Sequence, residues 1–355
     1  MTRLALCVAL SLIACGGTSD RPTISAPVRT HAETAADRIL PVLPEGAQVI
    51  IELDLARLRK NPVVGELVTM ALTGEGLPPL PEEVPVSPLA RADTLVLASY
   101  GVGTAQAATV VVLATPEDVP GATRLADGLV ALGPAEWIAQ LEARAALAGL
   151  RALTSDGAVV DDPAPPITAS PELLALRDHA MPEAAPGATL RVTARLSFDA
   201  RVALSRETGI DGAPAQISIW GDVADDLAII IDADASDPGD ARSREPTKRL
   251  EAAMRRVLAE LAREPAIRAL GLPKSLEHAR IAVRGRWVRA IVAVGPARLA
   301  RAVERARGYL TSLPSAPPAN PPSPTTLPTT PPTSSATDAP SPASQSAPAL
   351  LQGAP

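Results

Sequence analysis

Four closely spaced aspartates, Asp232, Asp234, Asp237 and Asp240, are the residues of this chain best placed to do chemistry, because carboxylates gathered on one loop can hold Ca²⁺. Counting Asp234 as the first position of a calcium-binding loop puts Gly239 sixth and Glu245 twelfth, as an EF-hand requires. Pro238 falls fifth and breaks that register, and the residues ahead of Asp234 read as a strand rather than a helix. The same letters make an acidic strand-to-helix connection, whose carboxylates favour a helix N-terminus. Histidine is represented only by His31, His179 and His278, and no two have the spacing of metal ligands. His31 sits in a spacer, His179 ends a helical pattern and His278 begins a strand pattern. The chain has no G-x-S-x-G elbow, S-x-x-K, H-E-x-x-H, Walker loop or G-x-G-x-x-G. No catalytic residue, metal ligand or cofactor is therefore expected. An envelope hydrolase using Asp or Glu, with Ca²⁺ near Asp234, stands as the alternative to a non-enzymatic protein.

Two further groups have a functional reading beside a plainer one. Arg298, Arg301, Arg305 and Arg307 on the last helical pattern could face anionic lipid or glycan, yet such a row also makes the wet face of an amphipathic helix. Trp137, Trp220 and Trp287 are too scattered to form a sugar platform and read as core or hairpin residues.

The elements that would position these residues are built from small aliphatic side chains. Apolar residues make up 46% of the chain but aromatics only 2%, so the cores must come from Ala, Val, Leu and Ile. A net charge of −6 argues against a nucleic-acid surface, which is normally basic. Lysine occurs only at Lys60, Lys248 and Lys274, a bias that fits a GC-rich genome. The only cysteines are Cys7 and Cys15, so disulfides and thiolate zinc sites are not expected beyond them.

In chain order, Ala47 to Leu55 is β-rich after the Pro44-Glu45-Gly46 turn, and a helix from Ala56 to Leu72 is broken near Asn61-Pro62. Strands at 93–101 and 107–114 make a hairpin about Gly101-Val102-Gly103. Helical patterns cover 116–132 and 134–147, Ser155-Asp156-Gly157 turns a second hairpin, and Pro171 to Ala180 is a short helix. The order then recurs. A strand at 189–196, a helix at 199–207, a hairpin of 215–221 with 227–234, and a long helix at 243–263 lead to a hairpin at 278–294 and a last helix at 296–310. This repeat predicts an α+β protein of two related domains, residues 41–183 and 184–312. Each has ferredoxin-like βαββαβ order with an extra strand and helix. Residues 15–40 read as a flexible linker, and 313–355, rich in Pro, Ser, Thr and Ala, as a disordered tail.

Ahead of all this, Arg3 and the apolar run from Leu4 to Ile13 lead to Leu12-Ile13-Ala14-Cys15. That tetrad resembles the lipobox of bacterial lipoproteins. The resemblance implies removal of residues 1–14, diacylglycerol on the Cys15 sulfur and acylation of the new amino terminus, with chains such as palmitate. Gly16 stands where an aspartate would signal retention at the inner membrane, so the resemblance implies an outer-membrane envelope protein. Leu43 to Gly65 and Arg151 to Met181 also resemble uncharacterised, duplicated export domains of predicted lipoproteins in GC-rich bacteria. The expected function is a non-enzymatic binding or assembly module, tethered to the membrane by lipid, with an unknown envelope partner and no nucleic acid.

Overall fold

The computed structural model describes residues 34–73, 86–148, 169–183, 187–208, 213–235 and 245–312. In the first half, α1 (Ala35–Ile39) and a 3-10 turn (Leu40–Val42) precede β1 (Val49–Asp54), α2 (Leu55–Lys60), α3 (Gly65–Leu72) and α4 (Val86–Leu89). Strands β2 (Thr94–Tyr100), β3 (Ala108–Ala114), β4 (Thr123–Ala126) and β5 (Leu129–Leu132) follow, then α5 (Ala135–Leu147) and α6 (Pro171–Arg177). The second half begins with β6 (Leu190–Arg195), α7 (Phe198–Thr208), β7 (Gln216–Val223) and β8 (Leu227–Asp234). It ends with α8 (Glu245–Arg263), α9 (Pro265–Leu270), α10 (Pro273–Glu277), β9 (Arg280–Arg284), β10 (Trp287–Val294) and α11 (Pro296–Ser312).

All these strands join one ten-stranded sheet in the order β4-β5-β3-β2-β1-β6-β7-β8-β10-β9, with every neighbouring pair antiparallel. The two halves run outward from the central β1–β6 pair in matching order, β1-β2-β3-β5-β4 on one side and β6-β7-β8-β10-β9 on the other. At that centre Ile50 lies opposite Thr193 and Glu52 opposite Arg191.

Side chains alternate between the two faces of a strand, so the register sorts them. One face carries a single core that runs under both halves. Leu55, Leu58, Val64 and Val68 of α2 and α3 belong to it, as do Leu95, Val111, Val130, Val292, Leu258 and Leu299. Arg307 of α11 reaches Glu66 of α3 across this layer at 2.6 Å. The opposite face is apolar in the first half, where Val96, Ala98, Val110, Val112, Leu129 and Ala131 pack against Ile39, Val42, Ile138 and Leu141. Completely burying a Leu or Ile contributes about 1.5–3 kcal/mol, which is how short aliphatic strands hold helices on both sides.

Two expectations need correction. Residues 116–132 form no helix, because Gly121 and Gly128 take positive φ (77° and 71°) and Asp127-Gly128 turns the β4–β5 hairpin. Leu129 to Leu132 is buried on both faces, and such an unbroken apolar run carries no period that separates strand from helix. The linker expected to reach Leu40 stops earlier. Thr34 caps α1 in a capping box with Asp37, and Ile39, Leu40 and Val42 are core residues. Residues 151–161, 236–244 and the tail lie outside the described residues, as do Cys15 and His31. Among the described residues no helix is long and apolar enough to cross a membrane.

Candidate functional site

The sheet face that is apolar in the first half turns polar as it crosses into the second. One row of directly opposed residues reads Arg195, Gln216, Asp234, Trp287, Arg284, and the next reads Thr193, Ser218, Asp232, Arg289, Ala282. Helix α6 and the turn after it are the cover for the inner part of this face. Ser170 caps α6 by accepting from the Leu173 amide at 3.2 Å, and Pro171 occupies its first turn, where a missing N–H costs nothing.

Arg177 pins this helix to the sheet. Its Nε and Nη2 donate to Glu52 of β1 at 2.7 and 2.6 Å, and its Nη1 donates to Asp37 of α1 at 2.6 Å. Burial works against its charge, but the Glu52 and then the Asp37 carboxylates outweigh that and hold the guanidinium above its ordinary range. Asp37 in turn is held below the usual carboxylate value. Its burial is more than offset by the Arg177 charge and the Thr34 hydrogen bonds. Alongside, Arg191 donates to Asp178 at 2.6 Å. Ser218, with no exposed surface, accepts from the Ala180 amide and donates to the Arg177 carbonyl.

The next residue of the turn, His179, reaches over β8 and β10. Its Nδ1 lies 2.8 Å from Oδ2 of Asp232, and its ring stacks on Trp287 with centroids 3.9 Å apart. Arg289 grips the same carboxylate in two places, with Nε donating to Oδ1 at 2.7 Å, and also donates to the His179 carbonyl at 3.0 Å. Asp232 is 1% exposed; burial raises its proton affinity, and the Arg289 and His179 hydrogen bonds bring the carboxyl below its ordinary value. The assembly fixes an imidazole and a guanidinium on one buried carboxylate. His179 Nδ1, Arg289 and Asp232 thus make one linked cluster that ties the turn after α6 to β8 and β10.

Beyond His179 this face is open. Arg280, Ala282, Arg284, Arg286 and Ala293 are exposed, and Arg286 lies over the Trp287 ring at 5.7 Å while pairing with Asp234 at 3.3 Å. Among the described residues no helix packs on the β10–β9 ribbon from this side, whereas α8, α10 and α11 cover its other face.

The residues singled out by sequence are thus redistributed. Asp232 and Asp234 face the same way but each is held by an arginine, Asp237 and Asp240 lie outside the described residues, and no described cluster of His, Cys, Asp or Glu is arranged to hold a metal. His278 follows α10 and is exposed. Trp137 stacks on Tyr100 in the first half, and Trp220 is buried with its indole N–H on the Gly187 carbonyl. Arg298 donates to Ser275 and Arg307 pairs with Glu66, so two members of the arginine row fasten α11 rather than face a ligand. The cluster of His179, Asp232, Trp287 and Arg289 was invisible to motif reading because 110 residues separate His179 from Arg289. The usable signal was a polar residue at alternate positions of strands that otherwise read as buried.

Neither a protein family model nor a curated protein matches this chain. Among solved structures, crystal form I of TP0453 aligns over 75% of this chain and 96% of its own, at 8% identity and a TM-score of 0.37. Crystal form III aligns over 74% and 96%, at 10% identity and a TM-score of 0.38. Similarity this low supports no inference about fold or activity.

Proposed function

We propose that this chain is a lipid-anchored envelope lipoprotein whose folded part is a non-enzymatic binding or assembly module. Cys15 of the Leu12-Ile13-Ala14-Cys15 tetrad is the lipidated residue, and the outer membrane is the destination. The observation that carries the binding role is the uneven helical cover of the sheet. The first half is covered on both faces, and the second half leaves an arginine-rich, tryptophan-bearing ribbon exposed. Large polar faces of a sheet are ordinarily either solvated or occupied by a partner, and a Trp flanked by Arg is the composition that interfaces enrich.

The duplication supports the assembly role. The two halves are proposed to descend from one α+β unit of ferredoxin-like order, with matched strands running outward from β1 and β6. The likeness is one of order along the chain: β1–β3 and β6–β8 pair consecutively, and the last hairpin of each half then joins in reversed order, β5-β4 and β10-β9.

The test is made in cells. Cys15→Ala should block lipidation and processing and so remove the protein from the lipid-anchored fraction, and a photo-crosslinker at Ala282 should give an envelope adduct that one at exposed Lys274 does not. A Cys15→Ala chain still processed and membrane-bound like the wild type would overturn the anchor, and equal adducts at both positions would overturn the binding face.

A further inference from the structure

The two edges of the sheet are treated differently. At one end β4 is short, carries a register shift between Arg124 and Ala126, and buries Leu125 against the first-half core. Those are the devices by which a sheet edge is kept from pairing with another chain. At the other end β9 runs in unbroken register with β10 for its whole length, from Arg280 opposite Ile291 to Arg284 opposite Trp287. Four of its residues, Arg280, Ala282, Val283 and Arg284, are exposed, Val283 by 46%.

The β9–β10 hairpin turns on Gly285-Arg286, with Gly285 at φ 61°, and Arg284 and Trp287 are its closing pair. Antiparallel pairing alternates, so the amides of Arg284, Ala282 and Arg280 point toward β10 while those of Ile281 and Val283 point to the free edge. Arg280 and Arg284 stand on the open face about 13 Å apart, four residues at 3.3 Å each. Neither has an ion-pair partner among the described residues, in contrast to Arg286 and Arg289.

We propose that the free edge of β9 takes up an extended acidic peptide as an additional strand. Two carboxylates four residues apart meet Arg280 and Arg284 on the open face, and apolar side chains between them meet Ile281 and Val283 on the other. Directly opposed side chains in antiparallel strands lie about 4.5–5.5 Å apart, within reach of an Arg–carboxylate pair. Charge decides the occupant. Two β9 strands paired about Ala282 would set Arg280 of each copy opposite Arg284 of the other, and like charges so placed repel. An acidic strand turns the same positions into attraction, by the strand-addition mode in which main-chain bonds give affinity and alternate side chains give specificity.

The proposal rests on the binding-module reading and is tested apart from it, by fluorescence anisotropy of the full chain with a labelled peptide repeating Glu-Val-Thr-Val-Glu. Saturable binding is expected, weakened about tenfold by Arg280→Ser combined with Arg284→Ser. Added salt should weaken it further. Binding should be abolished by Val283→Pro, which removes an edge amide, and by N-methylating the peptide amides that face β9. The N-methyl peptide keeps the test decisive should the proline variant fold poorly. Lack of binding, which is what arginines that merely guard the edge would give, overturns the proposal. Equal binding of a peptide with Lys in place of Glu, or indifference to N-methylation, does the same. A concentration-dependent dimer that Val283→Pro dissolves assigns the edge to a second copy and also overturns it. A chain that remains anchored through Cys15 yet ignores the peptide refutes the edge-strand proposal and leaves the anchor intact.

Discussion

Arg177 is the residue on which the cover of the second half depends. Its side chain is 6% exposed and is held by Glu52 and Asp37, so removing it strips the buried Glu52 carboxylate of the guanidinium that hydrogen-bonds it. Arg177→Met should destabilise the protein by about 3–5 kcal/mol, measured as a shift in urea midpoint. Glu52→Gln in the same chain should recover part of the loss, because the stranded charge is then gone. A second consequence concerns acid. Asp37 and Asp232 both have folded-state values below the ordinary 3.8, so each binds a proton less readily folded than unfolded. Their contribution is complete above about pH 5 and is lost as the pH falls through 3.8 toward their folded values. The urea midpoint should therefore fall between pH 5 and pH 3, and Asp232→Asn should flatten that slope while lowering stability at pH 7. An unchanged slope in the variant would mean that Asp232 carries no such linkage.

At the scale of elements, the joint between α2 and α3 shows how one residue settles both a local break and a long-range contact. Asn61 Oδ1 accepts from the amides of Val63 and Val64 in the turn that leads into α3. Its Nδ2 donates to the carbonyls of Val223 and Ala224 in the second half. The Asn61-Pro62 break was legible in the sequence from proline chemistry, whereas the contact with β7 was not, because nothing local records it. Asn61→Ala should cost about 1–3 kcal/mol, because the part-buried groups it bonds lose their partner. Calorimetry checks this, and a loss of only a few tenths of a kcal/mol would mean that these bonds are idle. The β4–β5 hairpin teaches the opposite lesson. Its Asp127-Gly128 turn was present in the letters, but the alternation that normally accompanies strands was erased by burial of β5 on both faces.

For the whole molecule, the continuous sheet makes the halves interdependent. β1 and β6 each have a neighbour on both sides only when both halves are present, and the shared core joins Val68 and Leu113 to Leu258 and Val303. Calorimetry should show one cooperative transition for residues 34–312. Chains cut to 34–183 or 187–312 should bind a dye for exposed apolar surface and melt without cooperativity. Two separate transitions in the intact chain would show instead that the halves fold independently.

The sequence by itself determined the order of the main described strands and helices apart from α1 and the β4–β5 hairpin, because turn residues, caps and apolar period act over a few residues. The expectations of a duplication and of a lipobox at Leu12-Ile13-Ala14-Cys15 also came from residue order and type alone. Tertiary structure alone decided that ten strands form one sheet, that His179 meets Asp232 and Trp287, and that β9 is the exposed edge. Those outcomes depend on which strands pair and which faces helices cover, and burial of apolar area is nondirectional, so it rewards several pairings that the local pattern cannot rank.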